Sequence, residues 1–262
     1  MHSAQLARKL LPLIGLLLFC AIPSHATISV IDYSNTTAEC VGAGTCAKTI
    51  TSTTAGNELV VYAYFLTGAS ITFACNTGVT NNGTGATWQE ADHKLGTAFS
   101  IYICYAENIA SGITVVTVTT SGGTPGATGN ITAEISGLAT SSTLDQHTNG
   151  ASSSSSTWSV GPTGTTSTAN EYWVSIIAKN NAGDPLVSVG NGFTNRVTSS
   201  AAHMNYLDQI VSSTGTITSS GTFTDTPTEG DIVIASFKSA PSVPLGSKIA
   251  GPAKMAGPSK TD

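Results

Sequence analysis

Charge is scarce in this chain: Asp, Glu, Lys and Arg make up only 10% of its 262 residues, 10 basic against 15 acidic. Nucleic-acid recognition rests on clustered Lys and Arg that neutralise phosphates, so that partner class is excluded. Aromatic residues are few as well, at 6%. No segment sustains a 3.6-residue apolar period, which predicts almost no helix. Three signatures are absent from the sequence: Cys-x-x-Cys, the Gly-x-Ser-x-Gly elbow and the Asp-x-Asp-x-Asp-Gly loop. Their absence argues against a zinc site, a serine hydrolase and an EF-hand. Neither a cofactor nor a catalytic residue is assigned.

The longest apolar run, Leu10 to Ile22, is too short to span a bilayer, which takes roughly 20 residues. It follows Arg8 and Lys9 and precedes Ser24-His25-Ala26. That order predicts a secretory signal peptide over residues 1–26, with Cys20 discarded in it and no transmembrane segment in the mature chain. The expected location is secreted, at the cell surface or in the periplasm. Losing Arg8 and Lys9 makes the mature chain more acidic than the formal net charge of −5.

What is plentiful is Ser, Thr, Gly and Asn around short Ile, Val and Tyr runs, the composition of strands and turns. Phe99 to Ala106, Ile113 to Thr119 and Ile131 to Ser136 read as strands. In the last, Ile131, Ala133 and Ile135 alternate with Thr132, Glu134 and Ser136, the pattern of a half-buried strand. Leu59 to Leu66 is apolar on both faces and reads as a central strand. Asn76 to Ala86 reads as a long loop, and Leu138 to Thr148 as a connection.

Cys40, Cys46, Cys75 and Cys104 remain after the leader. An even count in an exported chain predicts two disulfides, and sequence proximity favours Cys40 with Cys46 and Cys75 with Cys104 among three possible pairings.

The second half echoes the first. Thr168-Ala-Asn-Glu-Tyr-Trp-Val follows Thr54-Ala-Gly-Asn-Glu-Leu-Val, with Glu171 answering Glu58, and Asp231-Ile-Val-Ile-Ala-Ser-Phe follows Asn130-Ile-Thr-Ala-Glu-Ile-Ser. Two similar strand sets predict two antiparallel sheets closed over one core, a single β-sandwich over residues 27–239. The remaining 240–262 carry two copies of Lys-x-Ala-Gly-Pro and read as a flexible tail.

The ordered run of Thr54-Ala-Gly-Asn-x-Leu-Val-Val, Gly85-Ala-Thr-Trp88, Tyr105-Ala-Glu-Asn-Ile, Ala133-Glu-Ile-Ser-Gly-Leu, Gly192-Phe-Thr-x-Arg196 and Ile234-Ala-Ser-Phe-Lys238 resembles a set of secreted bacterial proteins whose function is not settled. The resemblance covers about Ile28 to Ala240. It implies an all-β, jelly-roll-like sandwich, often attached to larger extracellular proteins, and carries over no catalytic residue.

Four groups of residues are candidates for chemistry. Trp88, Glu90, Asp92 and His93 lie together on the segment from Asn76 to Gly96, and an aromatic beside polar groups suits a sugar ring, unless Trp88 plugs the core. Glu134 projects from the polar face of its strand, where a concave sheet exposes it to a ligand. Glycosidases pair two such carboxylates roughly 5 to 10 Å apart. Asp92-His93 and Asp145-Gln-His147 each set a carboxylate near an imidazole, and Asp225, Glu229 and Asp231 offer hard oxygens to calcium. The expectation is a non-catalytic extracellular module that binds a glycan or cell-surface component or plays a structural part. The alternative is a sandwich-type carbohydrate-active enzyme using Glu134.

Overall fold

A computed structural model describes residues 26–34, 38–66, 71–180, 186–199, 201 and 203–241. The expected signal peptide and the repeated Lys/Gly/Pro tail lie outside the described residues, apart from Ala26 and residues 240–241.

The first half runs β1 (Ser29–Tyr33), β2 (Cys40–Val41), β3 (Thr45–Thr49), β4 (Glu58–Leu66), a single helical turn α1 (Cys75–Gly78), β5 (Val79–Asn81), β6 (Gln89–Leu95), β7 (Phe99–Ala106), β8 (Val115–Thr119) and β9 (Ala127–Ser136). The second runs β10 (Leu144–Ser152), β11 (Thr157–Val160), β12 (Glu171–Lys179), β13 (Leu186–Val189), β14 (Thr194–Thr198), β15 (Met204–Val211), β16 (Ser219–Phe223) and β17 (Gly230–Lys238). The all-β class expected from composition is present, and every strand pair among the described residues is antiparallel.

Two sheets are expected and four are found. The first half contributes a large sheet ordered β1-β9-β4-β7-β6, with β2 on β9, and a small one ordered β3-β8-β5. The second contributes β10-β17-β12-β15-β14 and β11-β16-β13. Counting strands within each half, and leaving out β2, gives the same order in both.

The reason for four layers is written in β4. Val60, Tyr62 and Tyr64 point to a core shared with Tyr172, Val174 and Ile176 of β12, between the two large sheets. Leu59, Val61, Ala63 and Phe65 point the other way, to a core closed by Val116 and Val118 of β8. β12 does the same, with Trp173 and Ile177 meeting Trp158, Val160 and Phe223 on the small sheet. A strand apolar on both faces needs a layer on each, and two sheets over one core leave half of that surface wet. Each fully buried side chain of this kind contributes roughly 1.5–3 kcal/mol.

Three local expectations are corrected. The stretch 76–86 is not one loop: it closes α1 and forms β5. Ile71 to Ala74, which reads in the sequence as the beginning of another strand, forms only an isolated bridge, Thr72 with Ser121. The connection expected over 138–148 contains the start of β10, an edge strand on β17.

The two halves also share hydrogen bonds outside the ladders. Thr53 donates its amide to the Ile113 carbonyl at 3.0 Å, and its hydroxyl accepts the Ile113 amide at 3.0 Å. Thr163 and Ile217 make the same reciprocal pair, at 3.0 Å both ways. Each pair ties the segment before the central strand to the one that leads into or out of a small-sheet strand.

Candidate functional site

The candidate residues on 88–93 are split by the pleat of β6, an edge strand with a bulge between Glu90 and Asp92. His93 turns toward the first half's own core side: its Nδ1 lies 2.6 Å from Glu90 Oε1, and its ring stacks on Tyr102 with centroids 5.1 Å apart. Asp92 turns toward the second half. Its Oδ2 lies 3.0 Å from His147 Nδ1, and its Oδ1 accepts from Asn149 Nδ2 at 3.0 Å. The carboxylate-imidazole pairs that sequence adjacency suggests are thus not the ones formed: Asp92 pairs with His147 of β10, while His93 pairs with Glu90.

Trp88 is 6% exposed and belongs to the core between the first half's two sheets. The plug is the arrangement found, and the ring offers no free face for stacking. Its indole N–H is buried and has no hydrogen-bond partner. Beside it a shallow cleft of about 380 Å³ is lined by Asn76, Thr80, Asn81 and Thr87. The disulfide from Cys75 to Cys104 fixes one wall of this region, and Cys40 is joined to Cys46, the pairing that proximity favours.

Glu134 lies on β9, separated from β6 by β4 and β7, so the five candidates do not form one site. It is 0% exposed. Its Oε1 accepts the Thr54 amide at 2.9 Å and Asn57 Nδ2 at 2.6 Å. Directly across the ladder stands Asp32 of β1, whose Oδ2 accepts the Thr51 amide at 2.6 Å. A second carboxylate thus stands opposite Glu134 in the β1–β9 register, a pairing that nothing local in the sequence shows. Both carboxylates satisfy donors of the segment that enters β4, as buried polar groups must be satisfied.

The second half uses the same device. Asp145 on edge strand β10 accepts the Ser167 amide at 2.5 Å and the Ser167 hydroxyl at 2.8 Å. Glu171 accepts the Thr168 hydroxyl at 3.0 Å and the Trp173 indole N–H at 3.2 Å. Burial pushes Glu171 up to about 7, helped by its hydrogen bond to the Asp145 carboxyl. Glu58, the residue that Glu171 answers in sequence, sits on the other face of its strand. It shares parity with Val60 and Tyr62 in the core between the large sheets, whereas Glu171 shares parity with Trp173. Burial raises the Glu58 pKa well above the carboxylate range, the Thr143 hydroxyl opposing and the Glu107 charge adding, so this side chain is held neutral.

The seam between the large sheets carries the rest of the polar chemistry. Tyr33 of β1 donates to Asp208 of β15, Tyr172 donates to the same carboxylate at 3.2 Å, and Arg196 Nε reaches its other oxygen at 2.6 Å. Tyr172 and Tyr206 hydroxyls are 3.1 Å apart. Burial raises all three tyrosines, which keeps them protonated donors. Near the Cys40–Cys46 loop, His203 Nδ1 lies 3.0 Å from Glu39 Oε2, and Ser199 donates to Glu39 Oε1 at 2.7 Å. Burial raises the Glu39 carboxyl, but these two bonds outweigh it and the pKa lies below the ordinary value.

This arrangement holds two halves together; it does not converge on a cleft where a reacting atom can sit between acid and base. Among the described residues no group of three or more His, Cys, Asp or Glu is placed to hold a metal ion. Compared with known proteins, the chain matches no family model, no curated protein and no solved structure.

Proposed function

We propose that the chain is a secreted, non-catalytic extracellular module, built as a tandem pair of jelly-roll-like sandwiches, that binds a glycan or cell-surface component or forms part of a surface matrix. The duplication is supported by the shared strand order and by the Thr53–Ile113 and Thr163–Ile217 pairs. Eight strands in two sheets with the first beside the last, as β1 lies beside β9 and β10 beside β17, is how a jelly roll is arranged.

The observation that carries the non-catalytic reading is the commitment of the chemical side chains. Glu90, Asp92, His93 and His147 are each bonded to another side chain of the chain, and Glu134, bonded through its Oε1 to Thr54 and Asn57, has no path to solvent. The two outer sheets present hydroxyls instead. Thr45, Thr49 and Thr80 on one and Thr157, Ser159 and Ser188 on the other are exposed. Such uncharged faces suit neutral, polyhydroxylated partners. Secretion is supported by the two disulfides, and no helix of the described residues is long and apolar enough to cross a membrane.

A glycan array probed with the secreted protein, run beside a polysaccharide hydrolysis screen of wild type and Glu134→Gln, tests the reading. Binding without product formation is expected. Hydrolysis by wild type that is lost in Glu134→Gln replaces it with the enzyme alternative.

A further inference from the structure

Two carboxylates that take no part in that reading meet at the turn between β6 and β7. Glu229, just before β17, and Asp231, within it, reach from the second half to Gly96 of the first. A Cβ on Gly96 would lie 2.0 Å from Glu229 Oε1, 2.4 Å from Asp231 Oδ2 and 2.8 Å from the Phe99 carbonyl oxygen. Three oxygens from three residues therefore converge on the face of Gly96 where a side chain would begin, and any side chain there would displace them.

Glu229 is fixed in place. Its two oxygens accept the Ala98 amide at 3.0 and 3.2 Å, and one accepts the Thr97 hydroxyl. Its own amide donates to Asn180 Oδ1 at 3.2 Å. Asp231 is different. The residue is 1% exposed, and its Oδ2, the oxygen aimed at Gly96, is buried with no hydrogen-bond partner. A buried, unpartnered carboxylate oxygen facing a second carboxylate is costly unless a positive charge compensates both. Burial first and the Glu229 charge second push Asp231 up to about 6, and Lys94, which opposes them, is the weakest of the three influences.

We propose that Glu229, Asp231 and the Phe99 carbonyl hold a calcium ion that clasps the two halves together at the β6–β7 turn. The donors are all hard oxygens, which select calcium or magnesium over zinc or copper. Two carboxylates match a divalent charge, and the Phe99 carbonyl, which accepts the Gly96 amide at 2.9 Å, keeps a second lone pair. Calcium takes 6–8 oxygens at about 2.3–2.6 Å and accepts carbonyls and water among them, whereas magnesium demands near-ideal octahedral geometry. A site with two carboxylates and solvent at its rim, where Thr97 is exposed, fits the former. This inference stands apart from the glycan reading; either can fail alone.

The test is thermal unfolding of the full secreted chain, stripped with EDTA, in CaCl2, in MgCl2 and in NaCl at matched ionic strength near neutral pH. Calcium should raise Tm by several degrees and saturate at roughly 10⁻⁴–10⁻³ M, the range of extracellular modules. Magnesium should do much less. Asp231→Asn should abolish the calcium response while leaving the calcium-free protein at least as stable as wild type, because it removes the like-charge repulsion. Glu229→Gln should weaken binding at least tenfold. A wild-type Tm that moves no more in CaCl2 than in matched NaCl overturns the proposal, as does an Asp231→Asn protein that keeps the full response. Should a variant fold poorly, calorimetric titration of wild type with CaCl2 decides: a single saturable site supports the clasp, and no binding heat refutes it.

Discussion

The two halves share a strand order but fasten their small sheets in opposite ways. In the first, β3 brings Cys46 inward, opposite Val118, and that cysteine is bonded to Cys40; a second bridge joins Cys75 to Cys104 of β7. In the second, no disulfide is found among the described residues. There, β11 turns Trp158 and Val160 inward, and Trp158 lies over Gly221 of β16 and packs on Phe223 with ring centroids 4.8 Å apart. A Cβ on Gly221 would sit 2.2 Å from the indole, so the glycine and the tryptophan are one packing unit. One half limits the freedom of the unfolded chain, and the other gains buried aromatic area. The same architecture is reached by two different free-energy routes.

The sharpest way to break this symmetry is to remove the aromatic fastener. Trp158→Ala deletes a ring that is 3% exposed and leaves a cavity between the second half's sheets, a change that typically costs about 3–5 kcal/mol. Denaturant unfolding followed by the remaining tryptophans should show a lowered midpoint. A loss below about 1 kcal/mol would mean that the small sheet is not held by this contact.

Next in size is the covalent fastener. Replacing Cys75 and Cys104 together by alanine should cost roughly 2–4 kcal/mol. The Cys40 and Cys46 pair should cost less, because it closes a sequence separation of 6 rather than 29 and restricts the unfolded chain less. Equal losses from the two pairs would shift the account from chain entropy to local packing. Comparing the midpoints of the two double variants decides.

How far the sequence discloses this molecule differs from strand to strand. β4 and β7 are legible because uninterrupted apolar runs bounded by turn residues have few other uses. The four layers were within reach of the same observation, since a strand apolar on both faces calls for cover on both. The expectation of one core stops a layer short on each side. β10 is hidden because LDQHTNGAS alternates only between half-exposed and exposed through most of its length, and an edge strand of that kind looks like a connection. β5 and α1 are hidden because Asn, Thr and Gly favour turns and each element is only a few residues long. Glu58 and Glu171 align in sequence and face opposite cores, a one-residue slip that period-two structure turns into a change of side. The carboxylate-histidine pairs depend on which edge of one sheet lies over which edge of the other, and nothing local encodes that. Trp88 was ambiguous by nature, because a ring beside polar residues is equally good as a plug.

The smallest effect separates the halves by pH. Where Glu134 of the first half meets only donors at its Oε1, Glu171 of the second shares a hydrogen bond with Asp145. Burial raises Asp145 too, but the hydrogen bonds from Glu171 and Ser167 outweigh it, so its pKa lies below the ordinary value and the shared proton rests on Glu171. Glu171 titrates near 4.5 when unfolded and at about 7 in the folded protein. Between those values the folded chain binds more protons than the unfolded one, so stability falls as pH rises. The contribution is full below the unfolded pKa and is lost as pH passes through the folded one. Glu171→Gln mimics the protonated acid, with its oxygen accepting from Trp173 and its amide donating to Asp145, while the Thr168 hydroxyl, which bonds the other carboxylate oxygen, keeps its bond to the Asn170 carbonyl. The variant should match wild type near pH 4.5 and exceed it by a few degrees in Tm at pH 8. A Tm difference between the two proteins that stays constant from pH 4.5 to 8 would show that Glu171 and Asp145 do not share a proton.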